Sequence, residues 1–399
     1  MEFNSVFYLG LAMVAGLLFN RLTKLVHLPN VTGYLVAGLL IGPYVLRLIS
    51  EDTVGSLSVI STVALGFIAF TIGNSFKLSN LKKLGASILL ITFFEAFTAL
   101  AFVIVILKLF RFPTALALTL GAIGCATAPA ATLLVVRQYK AKGPVTNILL
   151  PVVALDDALG LISYSVCVSI AQSLEGAAEL SLLQMIWNPI RQIGSSLAVG
   201  AVLGLVLALC MRFFHSRINR MMCVICAVFL GVSLADALGL SSLLLCMMES
   251  AVLSNLFDDS DTVYEACDRW TPPLFMLFFV ISGAELKLSV LPTVGLLGVL
   301  YIVFRAAGKY TGAAIGSGLT HQAKNVVRYL GVTLIPQAGV AIGMSQLVVK
   351  DLPVYADRIR AVVLSATIVY ELIGPLLTKV VLTKAGEITE TNKRKKSKA

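Results

Sequence analysis

Two adjacent aspartates, Asp156 and Asp157, lie in the middle of the apolar run PVVALDDALGLI (residues 151–162). An ionised aspartate near the centre of a bilayer costs about 2.5–3.5 kcal/mol, so a counter-charge, protons or metal ions must offset the burial of this pair. Consecutive residues of a helix point about 100° apart, and the two carboxylates therefore cannot share one partner side chain on a neighbouring helix. One can face a cation on a neighbouring helix while the other faces a cavity.

The candidate cation is Lys309, in the middle of the run YIVFRAAGKYTGAAIG. It follows Arg305 by four residues, which places both side chains on the same helix face. A Lys309–Asp156 pair would offset part of the burial cost of both groups. A purely structural ion pair is the alternative, but buried pairs add little stability and Asp157 would stay unexplained. Burial and the neighbouring Asp156 favour protonation of at least one carboxyl group, so protons and a small cation would compete for the same oxygens.

Two prolines interrupt apolar segments close to these charges. Pro129 lies in GAIGCATAPAATLLVV, and Pro336 lies in GVTLIPQAGVAIGMSQLVV. Proline removes a backbone donor and frees a carbonyl, which lipid tolerates only beside other protein or a wet cavity. Freed carbonyls near a carboxylate would form an oxygen-rich site that suits a hard cation.

Several polar side chains can support this site. Thr127 and Thr132 flank the first break and can lend hydroxyl oxygens, although helix packing is an equally good explanation. Gln337 can satisfy backbone groups that the second break frees. Glu371 can balance Arg305, bridge the two breaks or serve as a conformational prop.

Two other carboxylates in apolar segments have less obvious roles. Glu95 lies in the middle of a span, and we expect it to be protonated or paired with a partner that the sequence does not identify. Glu249 lies near a span end, where we expect it to reach water.

The composition identifies a membrane protein with many spans. The chain has 399 residues, of which 58% are hydrophobic and 13% charged, and its mean hydropathy is +0.92. Soluble domains carry about 25% charged residues. The net charge of +10 comes from short loops and the tail KRKKSKA, so we expect no nucleic-acid partner. The sequence contains no GxxxxGK[ST] or HExxH motif, which disfavours ATP-driven transport and an enzyme, and we expect no resident cofactor.

A span needs about 20 mostly apolar residues, and about thirteen such segments can be placed. They lie at residues 5–22, 30–48, 55–74, 86–108, 114–136, 145–173, 188–213, 219–237, 240–256, 272–290, 292–317, 326–349 and 359–382. With the basic tail in the cytoplasm, most loop lysines and arginines fall on the cytoplasmic side, as the distribution of positive charge in membrane proteins requires.

An internal repeat emerges from the two broken spans. In both halves the span that follows the proline carries a carboxylate three residues before a glycine: Asp157 before Gly160, and Glu371 before Gly374. Spans 4–6 therefore match spans 11–13, and an offset of seven spans predicts that the copies are inverted. Interrupted helices at matching positions of an inverted repeat point to the binding site of a transporter.

The ordered set of motifs resembles the monovalent cation:proton antiporter superfamily, in its CPA2 branch. The segment LPNVTGYLVAGLLIGP (28–43) resembles the opening signature of that family, and ATAPAATLLVV its first broken helix. ALDDALG resembles its paired-aspartate motif, FRAAGKYTGA its lysine-bearing helix, and PLFMLFFVISGAELKL a further span. The resemblance covers essentially the whole chain.

The resemblance implies an all-α membrane protein with about thirteen helices, an inverted repeat and crossed broken helices. It implies six parts: scaffold and dimerisation helices (1–85 and 216–290), core transport repeats (86–175 and 291–383), a linker helix (176–215) and a basic cytoplasmic tail (384–399). It also implies a homodimer in the inner membrane.

For the site, the resemblance makes Asp157 the main carboxylate for the ion and the proton. Asp156 would pair with Lys309, and Thr127 would lie near the ion. The aspartate pair with the lysine is typical of electrogenic Na⁺/H⁺ antiporters, and the transported Na⁺ would bind Asp156 and Asp157. Li⁺ or K⁺ as the cation, a sodium-coupled organic anion transporter on a related fold and a gated cation channel remain the alternatives.

Overall fold

The structure, a computed structural model, describes residues 4–25, 28–78, 85–175 and 182–388, and all regular secondary structure in these ranges is helical. The first helices are α1 (Ser5–Leu25), α2 (Asn30–Ile41), α3 (Glu51–Ser56), α4 (Ser58–Gly73), α5 (Ser87–Leu109), α6 (Thr114–Ile123), α7 (Pro129–Tyr139), α8 (Pro144–Leu174) and α9 (Leu182–Phe213). They are followed by α10 (Arg217–Leu238), α11 (Ser242–Leu256), α12 (Ser260–Trp270), α13 (Pro272–Ala284), α14 (Gly295–Leu319), α15 (Lys324–Thr333), α16 (Gly339–Asp351) and α17 (Pro353–Lys384). Short 3₁₀ turns cover Asn74–Phe76 and Leu288–Val294. The predicted all-α membrane fold is confirmed.

Among the described residues, seven helices are long and apolar enough to cross a bilayer, and the other predicted spans are shorter or interrupted helices. The count of thirteen spans therefore stays a prediction. The second predicted span (30–48) is too long, because α2 ends at Ile41. Gly42 and Pro43 follow, and proline disfavours helical backbone at the residue before it. The tenth predicted span (272–290) likewise ends early, at Ala284.

The described helices pack in two groups. The largest buried apolar cluster draws mainly on α1, α2, α4 and α9–α13. A second cluster draws on α5, α6, α8, α14, α16 and α17, and a third draws on α5, α7, α8, α14, α15 and α17. Because the last two clusters share four helices, they form one helix group. The most extensive helix pair is α5 with α14, and α2 packs along α13. These groups contain the segments predicted as scaffold and core, whose division into domains stays a prediction.

The second group contains the same order of helices twice. A long helix (α5 or α14) precedes a pair of short helices, and a helix of 31 or 32 residues (α8 or α17) ends each series. The short pairs are α6 with α7 and α15 with α16, separated at residues 124–128 and 334–338. Pro129 is the first residue of α7, a position where its missing N–H costs nothing. The predicted breaks at both prolines are confirmed, whereas the inverted orientation of the copies stays a prediction.

Candidate functional site

Lys309 lies at the centre of the second group, with a fully buried side chain on α14. Its ammonium is 2.7 Å from Asp156 Oδ2 on α8 and 2.8 Å from Glu95 Oε2 on α5. It also donates a hydrogen bond to the carbonyl of Cys125, in the first break. Lys309 thus contacts α5, α8 and the first break. A proton retained on one of the two carboxylates would leave the cluster neutral, as burial requires.

A close helix contact brings Lys309 to Glu95. Gly308, Gly312 and Gly316 form a stripe on α14 at intervals of four residues, against α5. A Cβ atom at Gly312 would lie 2.4 Å from the carbonyl oxygen of Phe94, so only glycine fits there. Small residues at this spacing allow membrane helices to approach closely. The sequence analysis did not identify the partner of Glu95. The glycines spaced four residues apart were the feature of the sequence that could have indicated it.

The two breaks cross and hold each other. The backbone N–H of Ala128 donates to the carbonyl of Pro336 at 2.8 Å. Arg305 then satisfies carbonyls of both breaks. Its guanidinium donates to Gly124 at 2.9 Å, to Ala126 at 2.6 Å and to Ile335 at 2.7 Å. The predicted balance between Arg305 and Glu371 is wrong, because these carbonyls and the face of the Tyr370 ring occupy the guanidinium.

The other polar residues around the breaks act as braces. Gln337 donates to the carbonyl of Ile123 at 3.0 Å, so it satisfies a freed backbone group. The hydroxyl of Thr127 donates to Leu334 O at 3.3 Å, and that of Thr132 donates to Thr333 O at 3.2 Å. Both hydroxyls therefore tie the first break to the second, and their oxygen lone pairs remain able to accept.

Asp157 differs from its neighbour Asp156. It is 3% exposed, and its Oδ1 atom has no hydrogen-bond partner in the described part of the chain. One turn later, Gly160 packs on the first break, where an added Cβ would lie 3.4 Å from that of Ala126. The structure therefore places a buried and incompletely bonded carboxylate one helical turn from the crossing.

Comparison with known proteins identifies the family. The sequence model described as "Sodium/hydrogen exchanger, transmembrane" matches residues 9–384. The chain belongs to the sodium/hydrogen exchanger family. It is also 25% identical over 374 residues to Na(+)/H(+) antiporter 1 of Methanocaldococcus jannaschii, with 89% of this chain and 85% of that protein covered.

Solved structures share the fold of this exchanger-family chain. The sodium proton antiporter MjNhaP1 from Methanocaldococcus jannaschii at pH 8 superposes with a TM-score of 0.69 at 20% identity, covering 96% of this chain and 95% of that one. A second structure of the same antiporter, obtained by electron microscopy, gives a TM-score of 0.73 at 21% identity, covering 97% and 96%.

Two cavities in the exchanger-family chain are lined by residues of the helices that follow the breaks, α7 and α16. One, of about 440 Å³, is lined by Glu371 on α17 and by residues of α4, α13 and α16. The other, of about 680 Å³, is lined by Arg137, Lys140 and Lys142, which follow the first break. Both cavities lie between the two helix groups described above.

Polar contacts at the second cavity, here called the latch, join the helix groups. Arg137 Nη2 lies 2.7 Å from Asp268 Oδ1 on α12. Gln138 and Asn30 exchange two hydrogen bonds of 2.9 and 3.0 Å. Burial raises the pKa of Asp268, and the nearby Arg137 guanidinium opposes that rise. Any movement of one helix group against the other must rearrange these contacts.

Two carboxylates were misjudged or missed from the sequence. Glu249 is 0% exposed in the middle of α11, and neither carboxylate oxygen has a partner among the described residues, so the expectation that it reaches water is wrong. Glu387 is buried and accepts from the backbone N–H groups of Val145 and Thr146 at 2.6 and 2.9 Å. It therefore caps the first turn of α8, although it was expected to lie in a basic tail.

Among the described residues, no group of three or more His, Cys, Asp or Glu side chains is placed to hold a metal ion together. A transported cation is bound only transiently, so its ligands need not form a permanent cage. A site that releases its ion can combine one or two carboxylate oxygens with carbonyl, hydroxyl and water oxygens.

Proposed function

We propose that the chain is an electrogenic secondary transporter that exchanges Na⁺ for protons by alternating access. The observation that carries this proposal is Asp157, a buried carboxylate one turn from two crossed helix breaks, with an oxygen that has no partner among the described residues. Family membership and the relative named as a Na⁺/H⁺ antiporter support the choice of ions.

The two aspartates have different roles in this proposal. Asp157 binds Na⁺ in one state and a proton in the other, because a bare buried carboxylate is too costly to persist. Asp156 contributes an oxygen on the same helix, while Lys309 holds its other oxygen. Thr127 and the carbonyls of the breaks complete the oxygen ligands.

Transport then follows from movement of the core helices (86–175 and 291–383) against the scaffold (1–85 and 216–290). Opening of the latch at Arg137 and Gln138 accompanies this movement. We also propose a homodimer in the inner membrane with a cytoplasmic C-terminus, on the strength of the sequence resemblance and the distribution of basic residues.

Lys309 bears on the alternative of an organic anion transporter. A lysine that serves an anionic substrate must present a free ammonium, but this ammonium already contacts two carboxylates and a carbonyl. The structure therefore favours a cation as the substrate. Selectivity between Na⁺, Li⁺ and K⁺ is a separate measurement.

The test uses purified protein in proteoliposomes with an internal pH dye, and Na⁺, Li⁺ and K⁺ are added in turn. We expect Asp157→Asn to reduce exchange to the level of empty vesicles, because the amide cannot alternate between a proton and a cation. Glu249→Gln is the matched control, since it neutralises an equally buried carboxylate on the scaffold helix α11 and should retain exchange. Full activity of Asp157→Asn would refute the site.

Electrogenicity is tested separately by clamping the membrane potential. Each net charge moved couples to voltage by about 2.3 kcal/mol per 100 mV, so the Na⁺ gradient that stops exchange should shift with potential. A balance point independent of voltage would refute electrogenic exchange and leave the exchange itself standing.

A further inference from the structure

The Glu371 side chain lines a cavity that the proposed mechanism does not use. Arg360, Leu364, Thr367 and Glu371 line this cavity of about 440 Å³ along one face of α17. Their spacing of four, three and four residues is that of a single helix stripe. Liquid water takes about 30 Å³ per molecule, so the cavity has room for several waters or a hydrated ion.

Three oxygen-bearing side chains in the cavity lack partners in the part of the chain that the structure describes. Glu371 is 4% exposed, and its carboxylate makes no hydrogen bond or ion pair within the described residues. The hydroxyls of Thr367, one turn earlier, and Ser61, across the cavity on α4, have no partner there either. Buried polar groups are nearly always satisfied, so this arrangement points to a bound ion or water.

The internal repeat relates Glu371 to Asp157. Gly374, three residues after Glu371, packs on the second break, where an added Cβ would lie 2.7 Å from Pro336 Cγ. Gly160, three residues after Asp157, packs on the first break in the same way. The cavity reaches the end of the second break, because Ala338 lines it. Glu371 therefore has the same relation to its break as Asp157 has to the other.

Two acidic and two basic side chains line the cavity. Besides Glu371, the charged residues that line the cavity are Glu285 and Lys287 from the region after α13 and Arg360 on α17. Arg360 precedes Glu371 by eleven residues, or about 16 Å of helix. Among the described residues, neither Arg360 nor Lys287 forms an ion pair with Glu371, and Lys287 lies 3.7 Å from Glu51 instead.

We propose that Glu371, with the hydroxyls of Thr367 and Ser61, forms a second site for a small monovalent cation, at which a proton competes for the carboxylate. Carboxylate, hydroxyl and water oxygens are the ligands that hard cations prefer. The site rests on the proposed exchange function and extends it, because it would hold a cation in the cavity between the two helix groups while Asp157 is occupied or closed.

Equilibrium binding of radioactive Na⁺ to purified protein in nanodiscs at alkaline pH tests the second site. In the Asp157→Asn background, we expect a saturable component of binding that acidification displaces. Adding Glu371→Gln should abolish that component, whereas adding Glu285→Gln, which removes an exposed carboxylate at the same cavity, should leave it. Absence of saturable binding in Asp157→Asn, or its persistence after Glu371→Gln, would overturn the proposal.

Transport supplies an independent measurement in the otherwise wild-type chain. Glu371→Gln should raise the Na⁺ concentration needed for half-maximal exchange and leave the maximal rate intact, and Glu371→Asp should restore it in part. A fall in the maximal rate with unchanged half-saturation would indicate a structural role and refute the site. The proposed function itself stands or falls on the loss of exchange in Asp157→Asn, so the two failures are distinguishable.

Discussion

The two halves of the transport core place a carboxylate at the same position and surround it differently. Asp157 and Glu371 each precede, by three residues, a glycine that packs on a helix break. Beside Asp157, a buried lysine fixes two other carboxylates. Beside Glu371, a cavity and two hydroxyls without partners among the described residues take the place of a direct ion pair. One frame therefore supports a tightly held charge cluster in one half and, in the other, a carboxylate with no ion pair in the described part of the chain.

The largest expected difference between the two halves of the transport core is in how substitutions change the free energy of unfolding. Lys309→Ala removes the only cation in contact with Glu95 and Asp156 among the described residues, and such a loss costs about 3–5 kcal/mol. Glu371→Gln removes no ion pair, so its unfolding free energy should stay close to that of the wild type. Thermal unfolding in detergent measures both, and equal shifts would show that the halves do not differ in this way.

Two glycine substitutions compare the packing on the breaks. An added methyl at Gly374 meets Pro336 at 2.7 Å, so Gly374→Ala should destabilise the protein by about 1–3 kcal/mol. At Gly160 the nearest atom lies at an ordinary contact distance of 3.4 Å. Gly160→Ala should therefore be neutral or gain up to about 1 kcal/mol from the better helix propensity of alanine. Thermal unfolding measures both variants. A Gly160→Ala variant less stable than Gly374→Ala would contradict these packing distances.

The smallest expected effect on stability concerns the latch at the second cavity. Asp268 is 51% exposed, and pairs of this kind contribute about 0–1 kcal/mol. Arg137→Ala should therefore change stability little but alter the rate of exchange, because it removes a contact between the helix groups. The difference from wild type should shrink as the pH falls through the raised pKa of Asp268, since the protonated carboxyl no longer attracts the arginine. Unchanged kinetics at every pH would exclude the latch from the transport cycle.

Local features of the sequence were enough for the fold class and for the breaks. Proline interrupts a helix through its own backbone, so the breaks at Pro129 and Pro336 could be predicted without knowledge of the surrounding residues. An apolar run of about 20 residues likewise indicates a membrane span without reference to the rest of the chain. The contact of Lys309 with Asp156 could be predicted because few other lysines or arginines lie inside apolar segments.

Contacts distant in sequence were not predictable in the same way. Glu95 meets Lys309 only because the glycine stripe on α14 allows α5 to approach. Arg305 binds carbonyls rather than Glu371, since the crossing of the breaks brings those carbonyls together. Glu249 is fully enclosed in the middle of α11, because residues of other helices surround it.

The cap that Glu387 places on α8 has a practical consequence for protein engineering. The segment just past α17 fastens the start of the helix that carries both aspartates, through bonds to Val145 and Thr146. A truncation at Ala385, or a purification tag fused there, would release this fastening and loosen the ion-binding helix from a distance. Fusions joined beyond Ile388 would leave it untouched.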